Sequence, residues 1–536
     1  LLASFHSFLL AHGGLRQRFS RKTGNLPAVT ETNKTTQPDR AVEVGHGVLF
    51  IGFAKASFMV FGALQKFLLA RVVDLAEYGA FSVVNNAISI VNNTIVQGTI
   101  QSVSKFTAED DARAGAVQRA GLKLQSILGV AVAVAFFLAA PVVAGFVNAP
   151  EHTSLFRLAA AIPLVYAFYT VFVGTANGQR RFHVQASFDV GFSITKTVLL
   201  LAGAAVGHMV GHSVAGAFAG FIAAAVVIML VAARKMWLAP GQGRFSPARL
   251  LVFMGGAVTY TGLINLALSY DSLLLRRFAG AALAGQGSKA DALVGVYEAV
   301  RSLALLPYQA LLVVTFVIFP LVSRSTFAED REATRAYVRQ TLRYALIFGA
   351  AMAVVLGARP ATLLRIFYPA GYGTGAAALP ILAAGVVALA LLSIAGSIVT
   401  ASGRPYVAVA LVAITLVAGT GLAFTLVPRA AAGPAMLSAA AMSTAAGMLV
   451  GFLAALGYLW RRFGAGLPLL SVLRVLLATA LAVGAARLVP GAGIVAGATA
   501  MALAGLVFGV ALLVAHEFGA TDREKFFKIL HRKSAR

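Results

Sequence analysis

Residues 292–320 read ALVGVYEAVRSLALLPYQALLVVTFVIFP. A run of about twenty apolar residues, coiled as a helix, crosses the roughly 30 Å of hydrocarbon in a bilayer. This run is long enough to do so while carrying Tyr297, Glu298, Arg301 and Tyr308. Charged side chains at membrane depth turn toward a protein interior or an aqueous cavity, because lipid offers them no partners. The stretch therefore predicts a membrane helix with one polar stripe aimed at other helices. Working outward, similar windows recur at 45–70, 79–101, 124–147, 155–177, 188–209 and 212–233. A second series follows at 250–275, 292–320, 338–358, 375–400, 405–427 and 434–459, then a last pair at 467–489 and 493–517. The expectation is an all-α polytopic membrane protein of about 14 transmembrane helices.

Composition agrees with that reading. Of 536 residues, 59 % are hydrophobic, 12 % are charged and none is Cys. Soluble domains carry about 25 % charged residues, so a soluble multidomain enzyme does not fit. Without Cys there are no disulfides, thiolate metal sites or Cys nucleophiles. Lys plus Arg total 44 against 19 Asp plus Glu, a formal charge of +25. A nucleic-acid binder concentrates such charge on one polar module, whereas here it is dealt out loop by loop. Lys105, Arg113, Arg119 and Lys123 follow the second span, Arg180 and Arg181 the fourth, Arg234, Lys235, Arg244 and Arg249 the sixth. Arg324, Arg331, Arg335 and Arg339 follow the eighth, and Arg461 and Arg462 the twelfth. Basic loops stay on the cytoplasmic side, so both termini are expected inside and no nucleic-acid partner is expected. The exception is the loop after the seventh span, with Arg276, Arg277 and Lys289: either these face an internal cavity or the alternation fails there.

Boundaries follow from the same breaks: a polar tail at 1–42, six helices at 43–235, a basic linker at 236–249, six more helices at 250–460, two additional helices at 461–517, and a basic tail at 518–536. The last tail interleaves Phe526, Phe527, Ile529 and Leu530 with Lys and Arg, a pattern suited to lying on anionic membrane lipids.

Within the spans, a few polar residues stand out. Lys55 and Lys66 are three helical turns apart, on nearly one face of the first span. Asn86, Asn93, Gln97 and Gln101 form a drifting amide stripe on the second, able to bond sugar hydroxyls or neighbouring helices. Tyr297, Arg301 and Tyr308 share a face of the eighth. A guanidinium such as that of Arg301 makes paired hydrogen bonds to phosphate, and Glu298, one turn before it, offers a competing structural pair. Asp271 can pair with Arg276 or couple transport to an ion by binding and releasing a proton. Lys196 and Asp189 share a face of the fifth span, at a separation that argues against a direct pair. His183, His208 and His212 make no metal motif, and neither a phosphate-binding glycine loop nor a His-Glu-x-x-His sequence occurs. No cofactor and no metal are expected.

The two halves resemble each other. Residues 76–93, AEYGAFSVVNNAISIVNN, and 293–309, LVGVYEAVRSLALLPYQ, both give a small or acidic residue, Gly, an aromatic and then a helix with one polar stripe. Repetition between halves with a substrate path between them is a common plan of transporters. The segments GVYEAVRSLALLPYQALLVVTFVIFPLVSR (295–324), YGAFSVVNNAISIVNNTIVQGTIQSVSKF (78–106) and SIAGSIVTASGRPYVAVA (393–410) resemble bacterial polysaccharide exporters. These are the lipid-linked oligosaccharide flippases of the multidrug/oligosaccharidyl-lipid/polysaccharide superfamily. The resemblance covers about residues 43–460 and implies two six-helix lobes in a V around a cationic cavity. Residues 461–517 add two helices beyond that twelve-helix pattern, and fourteen helices resemble both the lipid II flippase branch and some exporters.

That resemblance implies no covalent chemistry. It implies a flippase of the bacterial inner membrane that moves a polyprenyl-(pyro)phosphate-linked oligosaccharide by alternating access, for cell-surface polysaccharide or lipopolysaccharide. The anionic lipid-linked glycan is the expected partner, alongside the glycan polymerase and glycosyltransferases of the same pathway. Lys55, Asn86, Asn93, Gln97, Arg276, Tyr297, Arg301 and Tyr308 are the expected substrate contacts, with Asp271 and Glu298 as coupling residues. The alternatives are a multidrug or metabolite cation antiporter, which calls for an essential membrane carboxylate, and an integral-membrane glycan-processing enzyme.

Overall fold

The computed structural model describes residues 37–327, 330–491 and 493–519; most of the two expected tails lies outside these residues, as does the side chain of Lys55. The described residues are helical and contain no strand. The amino-terminal lobe comprises α1 (Gln37–Val72), α2 (Leu75–Glu109), α3 (Ala114–Phe146), α4 (Thr153–Ala159), α5 (Ala161–Gly178), α6 (Phe182–Met209) and α7 (Ser213–Met236). The carboxy-terminal lobe comprises α8 (Pro247–Ala267), α9 (Tyr270–Ala282), α10 (Gly287–Ala304), α11 (Leu306–Phe327), α12 (Arg331–Ala358), α13 (Pro360–Phe367), α14 (Ala378–Ala401), α15 (Pro405–Leu426) and α16 (Pro434–Phe463). The added pair is α17 (Leu469–Leu488) and α18 (Ile494–Val514).

Every expected span falls on helix, but not every one is an apolar rod. Among the described residues, 10 helices are long and apolar enough to cross a membrane, or up to 11 if the bent α8 is one span. The count of 14 crossings is therefore not reproduced on length and apolarity. The helices that miss the criterion include α2 and α10, whose Asn, Ser, Glu and Arg residues lower their hydropathy. Two expected spans are also interrupted. The chain breaks at Leu268 and Ser269, between α8 and α9, and again at Leu305, just ahead of Pro307. Proline inside a helix removes a donor and crowds the preceding turn, and broken helices are where transporters set polar sites.

Lipid gives helices no hydrophobic reason to associate, so they join through close packing of small residues. In the amino-terminal lobe α6 lies along α7, and a Cβ on Gly203 would stand 2.2 Å from the carbonyl oxygen of Gly216; only glycine permits that approach. The lobes meet along a seam made by α2 against α8 and α10. The α2–α10 crossing is equally tight: a Cβ on Gly79 would lie 1.8 Å from the Asp291 carbonyl oxygen, and one on Gly295 2.4 Å from that of Leu75.

The linker between the lobes is docked rather than free. The Gln118 amide donates to the Met236 carbonyl at 2.7 Å and accepts from the Leu238 N–H at 3.0 Å, and the Gln242 N–H donates to the Ala112 carbonyl at 3.1 Å. The added pair α17–α18 packs on α12 with its own small core of Val354, Ala478, Ala500 and Phe508. Its end is fixed by Glu517, buried between Arg343, Arg474 and Ser471. Burial pushes this carboxyl upward, but the Ser471 hydroxyl and the Arg343 and Arg474 guanidiniums outweigh it and hold Glu517 below the usual carboxylate range.

Candidate functional site

Helix α10 begins at Gly287 and presents Tyr297, Glu298 and Arg301 to the seam, all three buried. Their spacing of one and three or four residues places them on one side of the helix. From the other lobe, α1 brings Lys66 and α2 brings Asn86. The Lys66 ammonium donates to Glu298 Oε1 at 2.8 Å. Arg301 Nη1 donates to Glu298 Oε2 at 3.2 Å, and so do the Asn86 amide at 3.2 Å and the Ser272 hydroxyl at 3.4 Å. Cations of both lobes thus converge on one carboxylate.

Behind Glu298, the Tyr297 hydroxyl donates to Asp271 Oδ2 at 3.0 Å, and the Ser272 N–H donates to Asp271 Oδ1 at 2.9 Å. Arg301 Nε stands 4.0 Å from Asp271 Oδ1 and has no hydrogen-bond acceptor. The group contains Lys66 and Arg301 against Glu298 and Asp271, and so is balanced in charge. Buried ions of this kind gain little net stability from pairing but lose heavily when one partner is removed. Near the same site on α6, the Lys196 ammonium lies over the Phe221 ring at 4.2 Å from its centroid. No carboxylate pairs with Lys196 among the described residues. Its cation is held by an aromatic face instead.

A second cluster pins the lobes at the end opposite the basic loops. Arg276 is 0 % exposed and uses its whole fork: Nε to Asp291 Oδ1 at 2.6 Å, Nη1 to the Asn148 carbonyl at 2.8 Å, Nη2 to Glu151 Oε1 at 2.8 Å. His152 Nε2 lies 2.9 Å from the other oxygen of Asp291. Next to it, Arg277 donates to the Phe146 carbonyl at 2.7 Å, and the Asn148 amide donates to the Arg277 carbonyl at 2.7 Å. The cluster borders a cavity of about 660 Å³ that Glu77 and Ser288 also line. Glu151, His152 and Asp291 offer ligand atoms within 4.8 Å of one another, but Arg276 is bonded to both carboxylates and would face any metal ion. The arrangement is a salt-bridged clasp between lobes.

The expected site residues are therefore divided. Asn86, Tyr297, Glu298, Arg301 and Asp271 come together at the centre of the seam. Arg276 belongs to the other cluster, and the expected Asp271–Arg276 pair is not formed: Asp271 faces Tyr297 and Arg301, while Asp291 and Glu151 take Arg276. Of the three basic residues that break the alternation of charge, Arg276 and Arg277 bond amino-terminal-lobe groups, while Lys289 is exposed. The amide stripe is shared out: Asn93 bonds Asn265 across the seam at 3.2 Å, and Gln97 is exposed. Tyr308 is half-buried on α11, beyond the break at Leu305, so it does not continue the face of Tyr297 and Arg301. Asp291, Glu151, His152 and Ser272 carry no sequence signal of their own. They are found only when the lobes are brought together.

The folded chain can be compared with known proteins. It superposes on the lipid II flippase MurJ in its inward closed conformation with a TM-score of 0.70, at 13 % identity, over 88 % of this chain and 99 % of that one. It superposes on an inward-facing multidrug resistance MATE family transporter of the MOP superfamily with a TM-score of 0.61, at 17 % identity, over 76 % and 94 %. A MOP superfamily transporter from Pyrococcus furiosus, whose structure is described as having a binding pocket of reverse polarity, gives 0.58 at 18 % identity over 78 % and 95 %. These establish a shared fold. A comparison with curated proteins returns no match. A family model described as polysaccharide biosynthesis protein matches residues 44–326, more than half of the sequence and both sides of the central ion cluster. The chain belongs to that polysaccharide biosynthesis protein family.

Proposed function

We propose that this MOP-fold membrane protein translocates a polyprenyl-(pyro)phosphate-linked oligosaccharide across the bacterial inner membrane for cell-surface polysaccharide synthesis. The observation that carries the reading is the convergence of Lys66 from one lobe and Arg301 from the other on a single anionic group. A phosphate crossing hydrocarbon must exchange its water for other donors, and those two cations with the Asn86 amide form such a set. Glu298 occupies the place an incoming phosphate would take. Binding is then an exchange of anions: the headgroup displaces Glu298, the lobes lose their internal tie, and both are held through the cargo instead. Lys196, with no carboxylate partner among the described residues, adds positive charge beside this route, while the polyprenyl tail stays in lipid. Lys55, Asn93, Gln97 and Tyr308 extend the expected contact set toward the sugars, and pathway glycosyltransferases and a polymerase are the proposed partners.

The test is reconstitution in proteoliposomes with a fluorescent polyprenyl-pyrophosphate oligosaccharide, following its access to an impermeant reagent. Wild type is expected to expose the lipid, while Arg301→Gln and Lys66→Gln, folded by size exclusion and melting, lose most of that activity. Failure of wild type to move any of a broad lipid-linked glycan panel overturns the reading.

One observation favours a second reading. Asp271 and Glu298 are membrane carboxylates at the seam, as a cation antiporter requires. Transport of organic cations by wild type, abolished by Asp271→Asn and indifferent to Lys66→Gln, would replace the flippase proposal.

A further inference from the structure

At the end of the bundle that carries the basic loops, α2 and α8 leave a groove of about 490 Å³ with one wall from each lobe. Its two cations are held in a crossed fashion. Lys105 of α2 lies over the Phe253 ring of α8, 4.3 Å from the centroid, and Arg249 of α8 lies over the Phe106 ring of α2 at 5.5 Å. Phe106 packs against Phe253 and against Phe245 of the linker, at 5.9 and 5.1 Å between centroids. Each cation is thus steadied by a ring from across the seam, an attraction that leaves the charge itself unneutralised. The single carboxylate in the groove is Glu109, 3.9 Å from Lys105 with both side chains about half exposed. No carboxylate pairs with Arg249 among the described residues. The groove opens beside an apolar wall in which Val252 is 81 % exposed and Leu251 48 %, a surface suited to acyl chains.

We propose that this groove binds the phosphodiester headgroup of an anionic phospholipid, with Lys105 and Arg249 gripping it from opposite lobes and an acyl chain lying over Val252 and Phe253. The two cations share a groove only while α2 and α8 are together at this end. A ligand that prefers one of two states shifts the population toward it in proportion to that preference. The lipid therefore favours the state in which the lobes are closed here. The groove contains none of the residues proposed to contact cargo, so binding of the lipid here does not require a particular cargo.

The full-length protein is to be tested in nanodiscs of phosphatidylcholine with and without phosphatidylglycerol. Because the chain has no Cys, Ala108→Cys and Ala248→Cys introduce a unique spin-label pair across the groove. Phosphatidylglycerol is expected to raise the short-distance population, and its binding, measured by titration in detergent, to weaken by about fivefold for each of Lys105→Gln and Arg249→Gln. Glu109→Gln, which removes the competing carboxylate, is expected to tighten it. Equal effects of phosphatidylcholine overturn the proposal, as does the same shift with inorganic phosphate at matched concentration, which would make the groove a free-anion site. A double Lys105→Gln, Arg249→Gln variant that melts like wild type in phosphatidylcholine yet still responds fully to phosphatidylglycerol overturns it as well.

Discussion

The two charged ties between the lobes divide their bonds in opposite ways. At the centre, two cations and two neutral donors crowd onto one carboxylate, and the Arg301 Nε is left without an acceptor. At the outer end, one fully buried guanidinium is divided among three acceptors, with a bond from each of its three nitrogens. A tie with a spare donor and a shared anion can trade its anion for another. A tie with every nitrogen engaged and the helices in van der Waals contact behind it holds or releases as a whole. The comparison assigns exchange to the centre and fastening to the outer end.

The largest effect expected is at the fastening. Arg276→Ala leaves Asp291 and Glu151 facing each other without their cation, and removal of one partner from a buried ion network costs about 3–5 kcal/mol. Chemical unfolding in detergent should register that loss. Arg276→Lys should recover only part of it, since an ammonium does not present the planar fork. A variant as stable as wild type would erase the distinction between the two ties.

At the centre, Arg301→Gln is expected to lower headgroup affinity roughly 10–100-fold, the range of one charge-assisted hydrogen bond, with a smaller loss of stability than Arg276→Ala. Glu298→Gln sharpens the point further. It removes the resident anion while keeping the shape, so affinity for a phosphate-bearing lipid should rise as the two lobes part more readily. Both are read by titration with a polyprenyl phosphate, and a fall in affinity for Glu298→Gln would contradict anion exchange.

A third charged node, Glu517 with Arg343 and Arg474, lies wholly outside the seam and supplies a control. Its carboxyl is held below the usual range, so its contribution to docking α17–α18 is complete above the unfolded-chain value of about 4.3 and disappears as pH falls through the lowered folded value. Hydrogen exchange should show residues 469–514 loosening on acidification, and Glu517→Gln should remove that dependence. The smallest effect expected is for Asn93→Ala. Interhelical hydrogen bonds in membranes average about 0.6 kcal/mol, so loss of the Asn93–Asn265 contact should shift the melting temperature only slightly.

Much of the architecture was legible in the sequence because apolar length is a direct requirement of the bilayer. Each window from 45–70 to 493–517 falls on helix. What periodicity does not report is where a helix breaks, and so the stripe drawn from Tyr297 through Arg301 to Tyr308 crossed the interruption at Leu305. Glu298 as the partner of Arg301 was readable from their one-turn spacing. The remaining partners were not, because Lys66 and Asn86 lie more than two hundred residues away. Sequence proximity offers Arg276 as a partner for Asp271, whereas the turn of α9 sends the two side chains to different clusters. The cationic cavity implied by the family resemblance is not a surplus of charge at the seam. At the centre of the seam the charge is balanced, and Lys196 beside it is held by an aromatic ring, with no carboxylate partner among the described residues.

The strap clasped by Gln118 sets a limit on how far the lobes can separate. The last residue of the strap hydrogen-bonded to the amino-terminal lobe is Gln242 and α8 starts at Pro247, so five residue steps can pay out once the Phe245 ring leaves Phe106. A fully extended chain covers at most about 3.6 Å per step, which makes a leash of about 18 Å. One corner of the basic end is therefore hinged on a short tether, and any wide opening must swing about that corner rather than part the lobes evenly.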